Sequence, residues 1–488
     1  MQINNFELVE RIKELDPFYN PDIYSVDDIG ISRLFADVNT GKALYNTTAE
    51  SWFVYDGIKW EKDELDLKVD AYAKDFALAY LIYLEEQESI INNKKLSTKE
   101  RSDEMKRLKK NMVYCMSLGA RAHRKTIIED ARSYVPVSQG DFDKQPNLFN
   151  CLNGVLDLNT GKFLRHSSDL LLSKVANVEY DPTAKCPRFI QFMKDIMIHN
   201  TEKIKYLQVL FGYAMSGTNE QEEAYILYGS TTRNGKSTLL DTMNSLFGDY
   251  GLNIQPESLS EQKKNGRAAS GDVARLDGCR LLQMAEPPKS MKLDVAMLKT
   301  LTGRDTITAR RLYENEFEFT PIFKLFINAN YLPVVIDDTL FTSERIKVIT
   351  FDRHFEPDEQ DKGLKDELKT PESLSGILNW IISGNRMYRD DPEAIKPPES
   401  VRKATDEYRA HSDKMMLFLN DIGSEGISST YSCKDLYEQY ILWCRENNFG
   451  GDGKISFMNK LREMPGFKER ATIEGRTVRN VFSFDKAG

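Results

Sequence analysis

The chain has 488 residues, 41% of them hydrophobic and 29% charged, with a formal net charge of -9 and a mean hydropathy of -0.49. That length suits about two to four domains of roughly 100–200 residues each, and no apolar run approaches the ~20 residues of a membrane span. Six scattered cysteines with no C-x-x-C pair argue against a disulfide framework or a structural zinc site. The acidic balance gives no overall signature of nucleic-acid binding. Residues 454–488 are locally basic, with eight Lys and Arg against four acids. The first residues, MQINNFELVERIKELD, lack the basic and apolar regions of a signal peptide, so a cytoplasmic location is expected.

In chain order, Trp52-Phe-Val-Tyr55, Asp56-Gly57 and Ile58-Lys-Trp60 predict a β-hairpin turning at Asp-Gly. Residues 65–132 have a helical, charge-rich pattern broken around 92–102. A second hairpin is predicted over 154–164, and helical periodicity covers 189–215. From Ala224 short apolar strands at 224–228, 280–285 and 322–328 alternate with helices, the pattern of a parallel α/β sheet. Helices close this block around 376–387, and the proline-rich 390–398 reads as linker. Beyond it, helices near 433–447 and 455–463 precede a hairpin in 467–484 that turns at Glu474-Gly475, which suggests a winged helix. The expected architecture is multidomain α/β. An N-terminal α+β domain covers 1–140 and a helical region 141–218. A P-loop ATPase domain occupies 219–395, a linker 396–412, and a winged-helix DNA-binding domain 413–488.

The chemistry concentrates at Gly229-Ser-Thr-Thr-Arg-Asn-Gly-Lys-Ser-Thr238, which follows a strand and opens a helix at Lys236. That context is what a phosphate-binding loop requires. Loop N–H groups and the positive helix end surround phosphates. Gly235 permits close backbone approach, Lys236 faces the β/γ oxygens, and Ser237 offers a hydroxyl to Mg²⁺. Thr238 adds a further phosphate contact. Gly229 and Gly235 are separated by five residues, one more than the usual spacing, so either the loop is longer or Ser230 takes the first position. A second strand ends in Glu286 before Pro287-Pro288, placing a carboxylate to polarise water or hold Mg²⁺ through water. A surface glutamate is the alternative. A third strand ends at Asn328 and Asn330, where an amide can orient the attacking water; both are also common turn residues.

These motifs in this order resemble the superfamily III helicases, and more specifically the phage and plasmid primase–helicase family related to the poxvirus nucleoside triphosphatase. Asn234-Gly-Lys-Ser-Thr238, Ala274-Arg-Leu-Asp-Gly-Cys-Arg280, Leu298-Lys-Thr-Leu-Thr-Gly-Arg-Asp-Thr-Ile-Thr-Ala-Arg310, Phe319-Thr-Pro321 and Asn330-Tyr-Leu-Pro333 are the residues that carry the likeness. Upstream, Leu152-Asn-Gly-Val-Leu-Asp157 and Phe211-Gly-Tyr-Ala-Met-Ser-Gly217 extend it, so that it covers roughly 145–355. The resemblance implies an AAA+-like motor using ATP and Mg²⁺, with Lys236, Ser237 and Glu286 as the Walker residues and Asn330 as sensor. It implies that Arg345, in Glu344-Arg-Ile-Lys347 where the family has R-I-R, acts in a neighbouring subunit's site. That in turn implies a homohexameric ring. Segment 299–316 is similar to the family's channel hairpin, so Lys299, Arg310 and Arg311 are its candidate DNA contacts. The winged helix would add Arg470, Arg476 and Arg479.

The expected partners are single-stranded and forked DNA, origin duplex DNA and a separate primase, in a bacterial host. Residues 1–140 show no clustered acids for nucleotidyl transfer; Asp141-Phe-Asp143 reads as loop. The expectation is therefore a replicative helicase, with an origin-binding initiator as the alternative.

Overall fold

The computed structural model describes residues 5–261, 269–289, 291–311, 315–335, 339–412, 414–424, 430–447, 451–473 and 476–484. The first unit runs α1 (Asn5–Leu15), α2 (Asp28–Val38), β1 (Ala43–Asn46), β2 (Ser51–Tyr55) and β3 (Trp60–Lys62). It continues through α3 (Leu67–Asn93), α4 (Thr98–Ser117) and α5 (Arg121–Ala131) to β4 (Pro136–Val137). The strands pair in the order β3-β2-β1-β4. At the β2–β3 turn the Asp56 carboxylate accepts the N–H groups of Ile58 and Lys59 at 2.7 and 2.8 Å, the local bonding that favours Asp in turns. The helical break after α3 ends where Ser97 and Glu100 cap each other's backbone N–H and start α4, a capping box. Phe35, Trp52, Phe76 and Tyr80 lie in this unit's core.

Next come β5 (Leu148–Cys151), β6 (Gly154–Asp157) and β7 (Phe163–Leu164), a three-stranded sheet of which the sequence predicts the last two strands. The helical stretch predicted over 189–215 is two helices, α6 (Pro187–Ile196) and α7 (Thr201–Ala214). Ile198 and His199 take left-handed φ values of 50° and 55° between them. Asn200 then caps α7 by accepting the Lys203 N–H.

The central block carries β8 (Ala224–Tyr228), α8 (Lys236–Phe247), β9 (Gly251–Ile254), α9 (Ala269–Ala274), β10 (Leu281–Met284) and α10 (Val295–Thr302). It continues with β11 (Ile307–Arg310), β12 (Glu316–Phe319), β13 (Lys324–Ala329), α11 (Thr339–Thr342) and β14 (Ile346–Thr350). Five of these strands form one parallel sheet in the order β14-β8-β13-β10-β9, and β11 and β12 form a separate antiparallel hairpin. Along β8, Tyr225 and Leu227 join the core under α7 and α8, whereas Ala224 and Ile226 join the core on the other face. A parallel sheet buried on both faces reads as continuous apolar runs, which is why its strands were visible in the sequence. The chain is thus mixed α/β around a central parallel sheet, as expected.

Three helices follow, α12 (Leu364–Glu367), α13 (Pro371–Asp390) and α14 (Glu399–Ser412). α13 lies against α7 with almost no room between backbones. A Cβ on Gly384 would stand 1.9 Å from Gln208 O, and one on Gly212 2.1 Å from Asn385 N. The expected linker over 396–412 is corrected here, because α14 spans most of it. Thr405 Oγ1 accepts the Val348 N–H at 3.0 Å, and the Tyr408 hydroxyl donates to Pro333 O at 2.6 Å. Val401, Ala404 and Tyr408 recur at helical spacing and face the sheet cores, a stripe that the surrounding charges hide in the sequence. The last unit comprises α15 (Lys414–Ser424), β15 (Thr430–Ser432), α16 (Cys433–Glu446), α17 (Lys454–Arg462), β16 (Phe467–Ile473) and β17 (Arg476–Ser483). Its strands pair in the order β15-β17-β16 over a core of Phe418, Tyr440 and Phe457; the Glu474-Gly475 turn lies outside the described residues. No helix among the described residues is long and apolar enough to cross a membrane.

Candidate functional site

The loop 229–235 joins β8 to α8. Gly229 N–H donates to Ala329 O at 3.1 Å, tying the loop to β13. The chain leaving β14 straps its other side: Phe351 N–H donates to Tyr228 O at 2.7 Å and Phe355 N–H to Arg233 O at 2.9 Å. The His354 ring nitrogen Nδ1 lies 2.8 Å from Thr232 O. Arg233 turns at a left-handed φ of 58°. Gly235 follows at φ 86°, and a Cβ there would stand 2.3 Å from Ile196 Cγ2 of α6. The glycine is therefore required by its backbone angle and by protein packing, apart from any ligand.

Lys236 opens α8 and is only 3% exposed. Its ammonium donates to Asn234 Oδ1 at 3.0 Å and to Asn330 Oδ1 at 2.8 Å. Burial pushes its pKa down to about 8, against the opposing pull of the Glu286 carboxylate, because desolvation disfavours the charged form. Beside it, Asn328 Nδ2 donates to the Ser237 hydroxyl at 3.0 Å. Ser237 is exposed and Thr238 half-buried. Glu286 is exposed two residues beyond β10. Asn234, Lys236, Ser237, Asn328, Asn330 and Glu286 thus converge at the carboxyl ends of the parallel strands, where open α/β sheets place their ligands. Asn328, which the sequence leaves between turn and site, belongs to this cluster.

Arg345 does not. Its carbonyl accepts the Ala224 N–H at 2.7 Å, so it sits where β8 begins, while the loop lies where β8 ends. Five strand residues separate the two by about 16 Å. Its guanidinium pairs with Glu222 at 2.7 Å and donates to Thr302 Oγ1 at 3.0 Å. Glu222 also pairs with Arg304 at 3.3 Å. Lys347, where the family pattern has arginine, is buried and pairs with Glu223 at 3.2 Å.

The candidate DNA contacts are dispersed. Lys299 lies on helix α10 and donates to the Thr339 hydroxyl, so the hairpin expected over 299–316 is corrected to β11–β12; residues 312–314 lie outside the described residues. Arg310 is exposed at the end of β11, opposite Glu316. Arg311 pairs with Asp277 at 3.5 Å and lies 4.7 Å from the Phe317 ring centre. Arg470 and Arg479 stand directly opposite each other across β16 and β17, and they and Arg476 are exposed.

Two cations in the motif region have a purely internal setting. Arg280 is 1% exposed, lies 4.5 Å from the Tyr250 ring centre, and donates to Leu148 O at 2.8 Å and to Met215 O. Lys324 donates to Ser216 O at 2.7 Å and to Ile322 O at 3.1 Å, 4.2 Å from the centre of the Tyr213 ring. Asp143 also points inward, accepting the Ser173 N–H at 3.0 Å and its hydroxyl, while Asp141 caps the turn at Ser138. Both acids of that pair hold their loop.

Residues 32–198 match a family model described as D5 N terminal like, and residues 227–345 one described as a family of unknown function (DUF5906). Several relatives carry the name "Putative helicase". L207/L206 of Acanthamoeba polyphaga mimivirus is 30% identical over 341 residues, covering 65% of this chain and 35% of the relative. 022R of Frog virus 3 (isolate Goorha) is 26% identical over 275 residues, covering 52% and 28%. The chain therefore matches about a third of the length of these curated relatives. Among solved structures, the apo structure of the NrS-1 C-terminal region aligns with a TM-score of 0.47 at 13% identity, covering 94% of this chain and 99% of that one. The class these matches define is that of viral helicase-named proteins. Within it, the two family models match separate parts of this chain, one ahead of the parallel sheet and one across most of it.

Proposed function

We propose that this chain is an ATP-driven replicative DNA helicase of the superfamily III type, working as a hexameric ring on single-stranded DNA. The observation that carries this reading is the contact of Lys236 with Asn330 at the carboxyl end of the parallel sheet. A buried ammonium held only by amide oxygens, at the start of a helix, is ready to exchange them for phosphate oxygens. The strand order, with the glycine loop following β8 between β14 and β13, supports a P-loop AAA+-like domain. Gly229, Asn234, Gly235, Lys236, Ser237 and Thr238 would cradle the triphosphate. Asn330, once released from Lys236, would orient the attacking water. The Ser237 hydroxyl and Glu286 carboxylate supply the oxygen donors that suit Mg²⁺, which when bound would neutralise phosphate charge. The two-helix and hairpin arrangement of α16, α17, β16 and β17 supports a winged helix.

Arg345 lies at the opposite end of β8 from its own loop, so its proposed role is in a neighbour's site, as the head-to-tail contacts of the proposed ring would provide. Such a group contributes ~10³–10⁵ in rate where it completes a site in trans. Lys299, Arg310 and Arg311 are the proposed strand contacts within the ring. The exposed pair Arg470 and Arg479 favours a second reading, an initiator that recognises origin duplex and uses ATP for assembly. A separate primase would supply primers in either case. The test is ATP hydrolysis with and without single-stranded DNA, beside footprinting on candidate origin duplex. DNA-stimulated hydrolysis without a footprint favours the motor, and a footprint with unstimulated hydrolysis favours the initiator.

A further inference from the structure

An unassigned feature lies on α4 and α5 of the first unit, outside the parallel-sheet block. Between residues 94 and 125 there are eleven Lys and Arg against three acids, a local net charge of +8 in a chain whose total is -9. Some of these cations have structural work. Arg107 lies 4.1 Å from the Phe18 ring centre, Lys94 pairs with Glu104 at 3.6 Å, and Arg124 donates to Leu118 O and Gly119 O, both at 2.8 Å.

The remainder point outward. Lys99, Lys106 and Lys110 recur at helical spacing along the exposed side of α4, with Lys109 beside them and Arg121 and Lys125 exposed on α5. Residues spaced in this way share one face of a helix. Asp103 is the one acid on the 99–103–106–110 line, and none of the six outward cations forms an ion pair among the described residues. From Lys99 to Lys110 the row runs about 16 Å along the helix axis. Lys110 has the Asp27 carboxylate within electrostatic reach, but a fold that concentrates this much positive charge on one face, while the rest of the chain is strongly acidic, favours a polyanion there.

We infer that the exposed lysine face of α4, continued by Arg121 and Lys125 of α5, binds the phosphate backbone of duplex DNA without reading its sequence. The duplex is favoured over a single strand by the makeup of the face. Non-specific single-strand sites interleave cations with aromatic rings on which bases stack. Here the row from Lys99 to Lys110 holds no aromatic residue; beside it, the Tyr19 ring is covered by Lys94 and Arg107 at 5.1 and 5.5 Å, the Tyr114 hydroxyl is bonded to Asp28, and His123 is the one exposed ring on the α5 side. Lysine point charges on a straight helix suit instead the dense phosphates of a double helix, about one charge per 1.7 Å of axis.

The test needs no nucleotide, so it stands apart from the motor reading. The full chain and the triple variant Lys106→Glu, Lys109→Glu, Lys110→Glu are titrated against short fluorescent duplex and single-stranded DNA of arbitrary sequence, over a range of salt. A control triple, Lys185→Glu, Lys194→Glu, Lys205→Glu, makes the same charge change on exposed residues elsewhere. Thermal melting checks that each protein is folded. The expected result is a duplex affinity at least about tenfold weaker for the α4 triple and a salt slope lower by about three. The control triple should stay within about threefold of the unmodified chain. Duplex affinity unchanged in the α4 triple, an equal loss in the control, or a loss confined to single-stranded DNA would each overturn the inference.

Discussion

Lys236 and Asn330 are 94 positions apart in the chain, yet the lysine ammonium lies 2.8 Å from the asparagine amide oxygen. The contact ties the first turn of α8 to the end of β13, two strands' worth of folding brought to one point. It also makes the loop lysine a reporter of what occupies the site.

Its protonation gives the first prediction. Burial lowers the Lys236 pKa to about 8, and a bound triphosphate would favour the ammonium and raise it. Below pH 8 the lysine already carries its proton, so nucleotide affinity should be flat. Above pH 8 binding must take up a proton, and affinity should weaken by up to about tenfold per pH unit. Calorimetric titration in buffers of different ionisation enthalpy should show proton uptake at pH 8.5 and little at pH 7. Proton uptake independent of pH would argue against Lys236 as the group involved.

Arg345 and Glu222 supply a second. Their 2.7 Å pair holds the arginine in its own subunit, so its proposed work in a neighbour requires that bond to yield. Arg345→Ala should lower hydrolysis at least about 10³-fold at every protein concentration. Mixing it with Lys236→Ala should restore part of the activity, because mixed rings contain sites with an intact loop beside an intact arginine. Mixtures no more active than their components would remove the trans role.

The helix contact at Gly212 and Gly384 predicts a cost in stability. Methyl groups there would collide with the Asn385 and Gln208 backbones. Gly384→Ala should destabilise by about 1–3 kcal/mol or more through forced separation of α7 and α13, read as a lower thermal midpoint. An exposed substitution such as Lys205→Ala should leave the midpoint nearly unchanged.

Arg280 predicts a larger one. Replacing it with Ala leaves Leu148 O and Met215 O without their donor and opens space beside Tyr250. The expected loss is about 3–5 kcal/mol, measured by chemical denaturation. A loss below about 1 kcal/mol would mean that water or neighbouring groups replace the guanidinium.

Much of this was legible in the residues. The strands at 224–228, 281–284 and 324–329 are mostly apolar because both faces of the sheet are covered, and the glycine loop stands out by composition. What was hidden depends on contacts distant in sequence. Nothing local distinguishes Arg280, buried against Tyr250, from the solvated arginine it resembles. Asn328 reads as a turn residue until β13 is set beside α8 and its amide reaches Ser237. Charged residues mask the apolar stripe of α14, so a packed helix reads as linker. Residues 65–132 read only as helical and charge-rich, and the one-sided basic face of α4 appears when the buried positions of the helix are known.

The central claim is that the loop at 229–238 powers strand separation, and unwinding of a forked duplex tests it most directly. The unmodified chain with ATP and Mg²⁺ should displace the labelled strand, while Lys236→Ala, folded by its melting profile, should displace none above the level without ATP. Equal unwinding by the two proteins would contradict the account.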